Sequence, residues 1–196
     1  AGVQGDLDAE IVLHESDAAS GLGYTLNGSY PRGLAESNVE SITYYDHYGY
    51  QSIQNGAYAF TGNNALRAAA VRGQVTGGRV RQLDGAAAGP WLTSVNYYDR
   101  EYRLLESVAD NHLGGKDRVA NTYDFVGKVE ETVLTHTKGS ATRTVRNVFA
   151  YDHAGRLLTN TQQTDGQPPV LLAKHEYNEL GQQVDKKLHS TDGGAS

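Results

Sequence analysis

The sequence predicts an all-β protein, built from repeated antiparallel β-hairpins that form an open, curved sheet with little helix. Composition is the first indication: there are 23 Gly and 13 Tyr but only 3 Phe and 1 Trp, and 38% of the residues are apolar. This mixture is typical of short, half-buried strands joined by tight turns, because aromatic and β-branched side chains pack on pleated surfaces. The second indication is a repeated turn motif flanked by strand-like segments.

The motif is a Tyr-Asp pair that is followed, three residues after the Asp, by Gly. Its residues are Tyr45, Asp46 and Gly49; Tyr98 and Asp99; Tyr123, Asp124 and Gly127; Tyr151, Asp152 and Gly155; and Tyr177, Asn178 and Gly181. Subtracting the tyrosine numbers gives spacings of 53, 25, 28 and 26, and the first is close to twice the others. The sequence therefore contains four continuous units of one period, with one unit hidden or replaced before them.

The residue types of the motif predict a strand, a turn and a second strand. The Asp side chain can accept a hydrogen bond from the backbone two residues on, and Gly supplies a positive φ, which together give a type I turn closed by a glycine bulge. Two units depart from this pattern. Tyr102 stands at a Gly position, where a left-handed conformation costs on the order of 1 kcal/mol, and Asn178 replaces Asp, which is a mild change.

The elements follow in chain order. Residues 1–38 are expected to be an irregular segment rich in turns. Residues 39–90 hold the first unit with an insertion, in which residues 64–70 are a candidate short helix capped by Asn63, followed by a strand over 75–83 and a Gly/Ala loop over 84–90. Residues 91–190 are predicted to be continuous hairpins, and residues 191–196 a frayed tail.

Charge and composition exclude several classes of function. The net charge of −6 opposes binding to nucleic acid and to anionic membranes. The absence of Cys excludes disulfides, thiol catalysis and thiolate metal sites, and no apolar run approaches the roughly 20 residues of a membrane helix. A chain that starts Ala1-Gly2-Val3 without Met indicates a processed product or part of a longer chain. Four arginines lie between Tyr48 and Leu83 without an acid, and we interpret them as a solvated loop.

The repeats resemble the YD-repeat family, the tyrosine-aspartate repeats of Rhs elements, polymorphic toxins and related shells. The resemblance covers about residues 39–190, and it rests on three segments that look like the Rhs-type proteins of Bacteroidetes. These are residues 42–46 (ITYYD), 91–99 (WLTSVNYYD) and 110–118 (DNHLGGKDR).

The resemblance implies a non-catalytic segment of a large secreted or cell-surface protein, whose strands spiral into a hollow β-shell around a toxin or effector. The partners it implies are the rest of the same polypeptide or its subunits, a glycan, or a component of a secretion system or toxin. Many members carry Asp-Pro motifs in a self-cleaving core, and this sequence has no Asp-Pro pair. No self-cleavage residue is therefore carried over to this chain.

The best candidate for chemistry is a cluster of His112 with Asp110 and Asp117, since imidazole and carboxylates can hold a divalent cation. A Gly-rich turn held by side-chain to backbone hydrogen bonds explains the same residues. There is no nucleophile elbow and no phosphate-binding loop. We therefore expect no enzymatic activity and no cofactor.

The thirteen tyrosines raise a second hypothesis, a carbohydrate- or protein-binding module at the cell surface. Aromatic faces beside Asp, Asn and Arg suit a sugar. In a chain of hairpins, however, each repeat tyrosine lies at a strand end, where it is expected to pack on the next hairpin.

Overall fold

A computed structural model describes residues 15–18, 21–26, 28, 33–50, 56–83 and 89–190. They form an open antiparallel sheet of ten strands, in which the order of the strands in the sheet equals their order in the chain. The all-β prediction is confirmed, since helix is nearly absent from the described residues and a short 3-10 helix covers Glu36–Asn38. No helix in this part of the chain is long and apolar enough to cross a membrane.

The strands are seven to twelve residues long, as expected for segments bounded by turn residues. They are β1 (Ser41–His47), β2 (Ala70–Arg81), β3 (Trp91–Tyr98), β4 (Leu104–Asp110), β5 (Lys116–Tyr123), β6 (Val129–Lys138), β7 (Ala141–Tyr151), β8 (Leu157–Thr164), β9 (Val170–Tyr177) and β10 (Gln183–Ser190).

The chain divides into two compact units, Ala1–Tyr102 and Arg103–Ser196. In the first unit, β2 lies between β1 and β3 and pairs with both. Side chains alternate along β3, so that Thr93, Val95 and Tyr97 are buried. With Tyr44 and Val71 they form the core of this unit.

The predicted helix over residues 64–70 is wrong. Residues 64–66 form a turn, Arg67 makes an isolated bridge to Asp99, and Ala70 already begins β2. The Asn63 side chain does accept from the backbone of Ala65, at 3.0 Å. It caps a single turn, because the chain then enters strand pairing before a second turn can form.

The arginine-rich stretch is not a solvated loop. Arg79 and Arg81 belong to β2, and their guanidinium carbons lie 4.9 and 4.4 Å from the ring centroid of Trp91. Arg67 contacts the ring of Tyr97 at 5.6 Å. Three of the four arginines of the stretch therefore stack on aromatic rings of the first unit, and Arg72 is exposed on β2.

In the second unit each of the strands β4 to β9 pairs with the next one. Three of the hairpins carry a bulge directly after the turn, where Glu130, Leu158 and Val184 are skipped in the register. A bulge at this position is what a type I turn followed by a left-handed glycine produces.

The second unit is a single layer over its described residues. No helix or second sheet among them covers either face, and of residues 112–189 only Leu171 is buried. The buried residues of this unit concentrate on β4, where Glu106 is 1% exposed and forms an ion pair with Arg118 of β5. Both faces of the remaining sheet therefore combine apolar and polar side chains that water reaches in part.

Two predicted segments lie wholly or mainly outside the described residues. These are the frayed tail at 191–196 and the Gly/Ala loop at 84–90, of which only residues 89 and 90 are described. In the irregular segment 1–38, the described residues include a bridge between Asp17 and Tyr24.

Candidate functional site

The turns of the second unit share one hydrogen-bond pattern. The Oδ1 atoms of Asp124, Asp152 and Asn178 accept from the backbone nitrogen four residues on, at 2.8, 2.8 and 2.9 Å. The glycine nitrogen in each turn donates to the carbonyl of the same Asp or Asn, at 3.1, 2.8 and 2.9 Å. The three turns thus have the geometry that the motif predicts.

The backbone conformation of the third residue after each Asp or Asn explains why glycine is preferred at that position. Gly127, Gly155 and Gly181 have φ values of 91, 78 and 80°, which L side chains rarely adopt. Tyr102 has a φ of 64° at the equivalent place and donates to the Asp99 carbonyl at 3.2 Å. The chain therefore keeps the same turn at Asp99, with a strained tyrosine.

The first copy of the motif does not form this turn. Tyr45 and Asp46 lie inside β1, which continues to His47, and Gly49 has no positive φ. Asp46 instead has a φ of 69°, and its Oδ1 accepts from Gly73 of β2 at 2.6 Å. The prediction of a turn at residues 45–49 is wrong, because this aspartate bonds across the strand pair rather than to its own backbone.

A further turn of the same kind escaped the sequence analysis because no tyrosine precedes it. The Oδ1 of Asn111 accepts from Leu113 and Gly115 at 3.1 and 2.9 Å, and Gly114 has a φ of 75°. Asn111 also donates from Nδ2 to the carbonyl of Thr137 at 3.0 Å. The Asn-x-x-Gly spacing from Asn111 to Gly114 is the sequence feature that indicates this turn.

The predicted His112 cluster is distributed over this turn and its neighbours. The Asp110 carboxylate pairs with Lys116 at 2.7 Å, and Asp117 contacts His136 at 2.5 Å. His112 is exposed on the turn. Among the described residues no group of three His, Asp or Glu side chains is placed to hold a metal ion, so the alternative, a turn built on hydrogen bonds, describes these residues.

Four of the five repeat tyrosines, all except Tyr45, donate their hydroxyls to a backbone carbonyl on the neighbouring strand of the preceding hairpin. Tyr123 reaches Leu104 at 2.8 Å, Tyr151 reaches Val129 at 2.9 Å, and Tyr177 reaches Leu157 at 3.0 Å. In the first unit, Tyr98 reaches Val75 of β2 at 2.9 Å. The tyrosines therefore pack against the hairpin before them, and not the one after them as expected.

A basic residue directly after the turns at Asp99, Asp124 and Asp152 completes this contact. Arg103 lies 5.0 Å from the ring centroid of Tyr123, Lys128 lies 5.1 Å from that of Tyr151, and Arg156 lies 4.6 Å from that of Tyr177. Lys128 also donates to the carbonyl of Gly155. The functional motif is thus Tyr-Asp-x-x-Gly-Lys/Arg, and its last position was missed because its partner lies about one repeat further along the chain.

The charge of the Asp152 carboxylate is stabilised within its own turn. The backbone N–H of Arg156 and then its guanidinium hold the pKa of Asp152 below its usual range. Burial raises the pKa of Tyr151, and the nearby Asp124 carboxylate adds to that increase. At neutral pH the Asp152 carboxylate is therefore ionised and paired with Arg156, while Tyr151 stays a neutral hydrogen-bond donor.

A cleft of about 700 Å³ lies beside the end of β1 in the first unit. It is lined by Glu15, Ser16, Asp17, Tyr24, Thr43, Tyr45, Asp46 and His47. His47 accepts from Gly49 at Nδ1, at 3.1 Å, and contacts Asp17 through Nε2 at 2.6 Å. Both ring nitrogens are therefore engaged, and this histidine is not available as a general base.

Comparison with known proteins gives no family assignment. No protein-family model matches the chain, and no curated protein matches it. The likeness to YD repeats therefore rests on the sequence motifs, and membership of that family belongs to the proposal that follows.

Proposed function

We propose that this chain is a non-catalytic structural segment of a large secreted or cell-surface YD-repeat protein of the Rhs type. In this proposal the hairpins belong to a β-shell that encloses a toxin or effector. The partners of the segment are then the rest of the same polypeptide and its cargo.

The observation that carries the proposal is the repeated contact between neighbouring hairpins. The same hydroxyl to carbonyl bond and the same cation on the tyrosine ring recur at Tyr123, Tyr151 and Tyr177. Every one of these contacts joins a hairpin to its neighbour, which is how repeat proteins extend a structure by adding identical units.

The partial exposure of both faces of the second unit also supports the shell proposal. Val119 and Ala120 are adjacent in β5, point to opposite faces, and are both partly exposed. A globular sheet normally buries one face against another layer. A sheet in which both faces meet water in part suits a shell with solvent on its two sides.

The decisive experiment is the intact mass and reading frame of the native polypeptide that contains this sequence. A parent of many hundreds of residues with further Tyr-Asp repeats supports the shell segment. A free-standing product of the size of this chain contradicts it, and directs the search to binding partners.

A second test separates the shell from a binding module. In the shell, Tyr123→Ala and Tyr151→Ala lower the melting temperature, because they remove contacts between hairpins. In a binding module the same changes lower the affinity for a glycan and leave the melting temperature unchanged.

The second candidate function, a glycan- or protein-binding module, is supported by a different part of the molecule, the cleft beside β1 in the first unit. Tyr45 lines the cleft beside β1 and is 48% exposed, whereas the other four repeat tyrosines use their hydroxyls on backbone carbonyls. A glycan array with the intact protein and with Tyr45→Ala tests this candidate. Binding that the substitution abolishes without a change in melting temperature supports it, and an array without binding rejects it.

A further inference from the structure

Two arginines of β2 lie on the same face of the first unit, beside the single tryptophan of the chain. Arg79 and Arg81 are two positions apart in the strand, so their side chains leave the sheet on one face. Their guanidinium carbons lie 4.9 and 4.4 Å from the centroid of the Trp91 ring. All three residues are partly exposed. A single ligand on this face can therefore contact both guanidinium groups.

No carboxylate in the described part of the chain forms an ion pair with Arg79 or Arg81. The residues opposite them in the neighbouring strands are uncharged, since Arg79 pairs with Ile42 and Thr93, and Arg81 pairs with Trp91. Four arginines of the second unit, by contrast, each pair with a carboxylate; they are Arg118, Arg143, Arg146 and Arg156. The two positive charges beside Trp91 are therefore not neutralised by an acidic partner.

The two guanidinium groups also have N–H groups to spare. Arg81 donates from Nε to the carbonyl of Val39 and from Nη2 to the backbone carbonyl of Glu36, both at 3.1 Å, which uses two of the five N–H groups of a guanidinium. Burial raises the pKa of Tyr44, and the Arg79 guanidinium beside it offsets part of this increase. The Nε atom of Arg79 is buried and has no hydrogen-bond acceptor among the described residues. An acceptor that carries negative charge is thus the group that this face lacks.

We propose that Arg79, Arg81 and Trp91 form a binding site for a doubly charged oxyanion, a phosphate or sulfate group. Two guanidinium groups match the charge of such a group, and their N–H groups match its oxygen atoms. The Trp91 ring holds both guanidinium groups by cation–π contacts, which reduces the side-chain entropy that is lost when a ligand binds. The site belongs to the first unit alone, so the inference does not depend on the shell proposal.

Titration of the full chain with sodium phosphate tests the proposal, with the ionic strength kept constant by sodium chloride. Because Trp91 is the single tryptophan, its fluorescence reports directly on the site. The expected result is a saturable change in emission with a dissociation constant of about 1 to 10 mM. A titration with sulfate identifies which of the two groups binds more tightly. Acetate, which has one charge, is expected to bind about tenfold more weakly than phosphate.

Substitutions then assign the binding to the two arginines. Arg79→Gln and Arg81→Gln should each raise the dissociation constant for phosphate about tenfold or more, because each removes one charge and its charge-assisted hydrogen bonds. Arg72→Gln changes an exposed arginine of the same strand and is the matched control, with an expected change of less than about twofold. Calorimetry measures these constants, since the loss of an arginine beside Trp91 alters its emission by itself.

Arg79→Gln is the variant that keeps the test independent of folding. Arg79 makes no hydrogen bond to backbone in the described part of the chain, whereas Arg81→Gln removes two such bonds. The melting temperature of each variant without phosphate checks that it is folded. The proposal is overturned if phosphate gives no saturable change, if acetate binds as tightly as phosphate, or if folded Arg79→Gln binds phosphate as tightly as the Arg72→Gln control.

Discussion

The hydroxyl groups of the three repeat tyrosines offer a direct measure of the contact between hairpins. Replacing Tyr123, Tyr151 or Tyr177 by Phe keeps the ring beside its cation and removes only the bond to the carbonyl, which is 2.8 to 3.0 Å long. A net hydrogen bond contributes about 1 kcal/mol to stability. We expect each substitution to lower the free energy of unfolding of the second unit by about that amount, and the triple variant to lower it by about 3 kcal/mol, because the sites share no partner.

Urea unfolding followed by two signals measures this effect. Circular dichroism reports on both units, whereas the fluorescence of Trp91, the single tryptophan, reports on the first unit. The dichroism transition is expected to move to lower urea concentration. Tyr45→Phe is the matched control, with an effect within about 0.5 kcal/mol, as is usual for surface positions. Losses no larger than that control would refute the role given to these hydroxyls.

Three further predictions concern the turns. Gly155→Ala lowers stability by about 2 kcal/mol and Gly139→Ala by about 1 in calorimetry, because both have positive φ but only the methyl group at Gly155 would meet Lys128; equal losses would contradict the contact. Asp152→Asn keeps the turn but removes its charge. Because the pKa of the Asp152 carboxyl is lowered in the folded state, its charge stabilises the protein above about pH 4, and this stabilisation is lost as the pH falls below that value. The stability difference from the original chain should therefore shrink between about pH 5 and pH 2, and a constant difference would be evidence against it. Asn111→Ala should cost about 2 to 3 kcal/mol in urea unfolding, because it removes a buried side chain with bonds to several backbone groups; a loss below about 0.5 kcal/mol would place the stability of the turn elsewhere.

The strand and turn pattern of the second unit follows from local chemistry, which is why the sequence predicts it. An Asp and a Gly three residues apart determine the turn at Asp124 through bonds that span four residues. The period of the motif then places the strands. Nothing outside the hairpin is needed for this inference.

Contacts between hairpins were beyond the sequence analysis, because they join residues about twenty positions apart. The cation at Arg103 has no local role that marks it as the partner of Tyr123, and the acceptor carbonyl of Leu104 carries no signature at all. The direction of packing was therefore predicted incorrectly. The regularity includes the residue directly after the turn, which is a cation at Arg103, Lys128 and Arg156.

The first unit was less predictable, because strand pairing there overrides local preference. Tyr45 and Asp46 have the letters of the motif, yet they pair with Val75 and Val71 of β2 inside a strand. Asn63 has the signature of a helix cap, yet the chain joins the sheet a few residues later. At Asp46 the deciding partner is β2, some twenty to thirty residues further along the chain. After Asn63 the conformation of the chain is determined by the pairing of β2 within the sheet.

The position after the last described turn has a consequence for how such a chain can vary in length. Gln182 stands where Arg103, Lys128 and Arg156 stand in the earlier turns, and an uncharged amide offers a tyrosine ring a weaker contact than a cation does. Removing or duplicating a whole internal hairpin would again place a basic residue beside a repeat tyrosine. Every contact of this kind between hairpins would therefore be kept. We therefore expect the deletion or duplication of whole internal repeats to be tolerated, whereas the tyrosine of a repeat added after Gln182 would make a weaker contact with the hairpin before it.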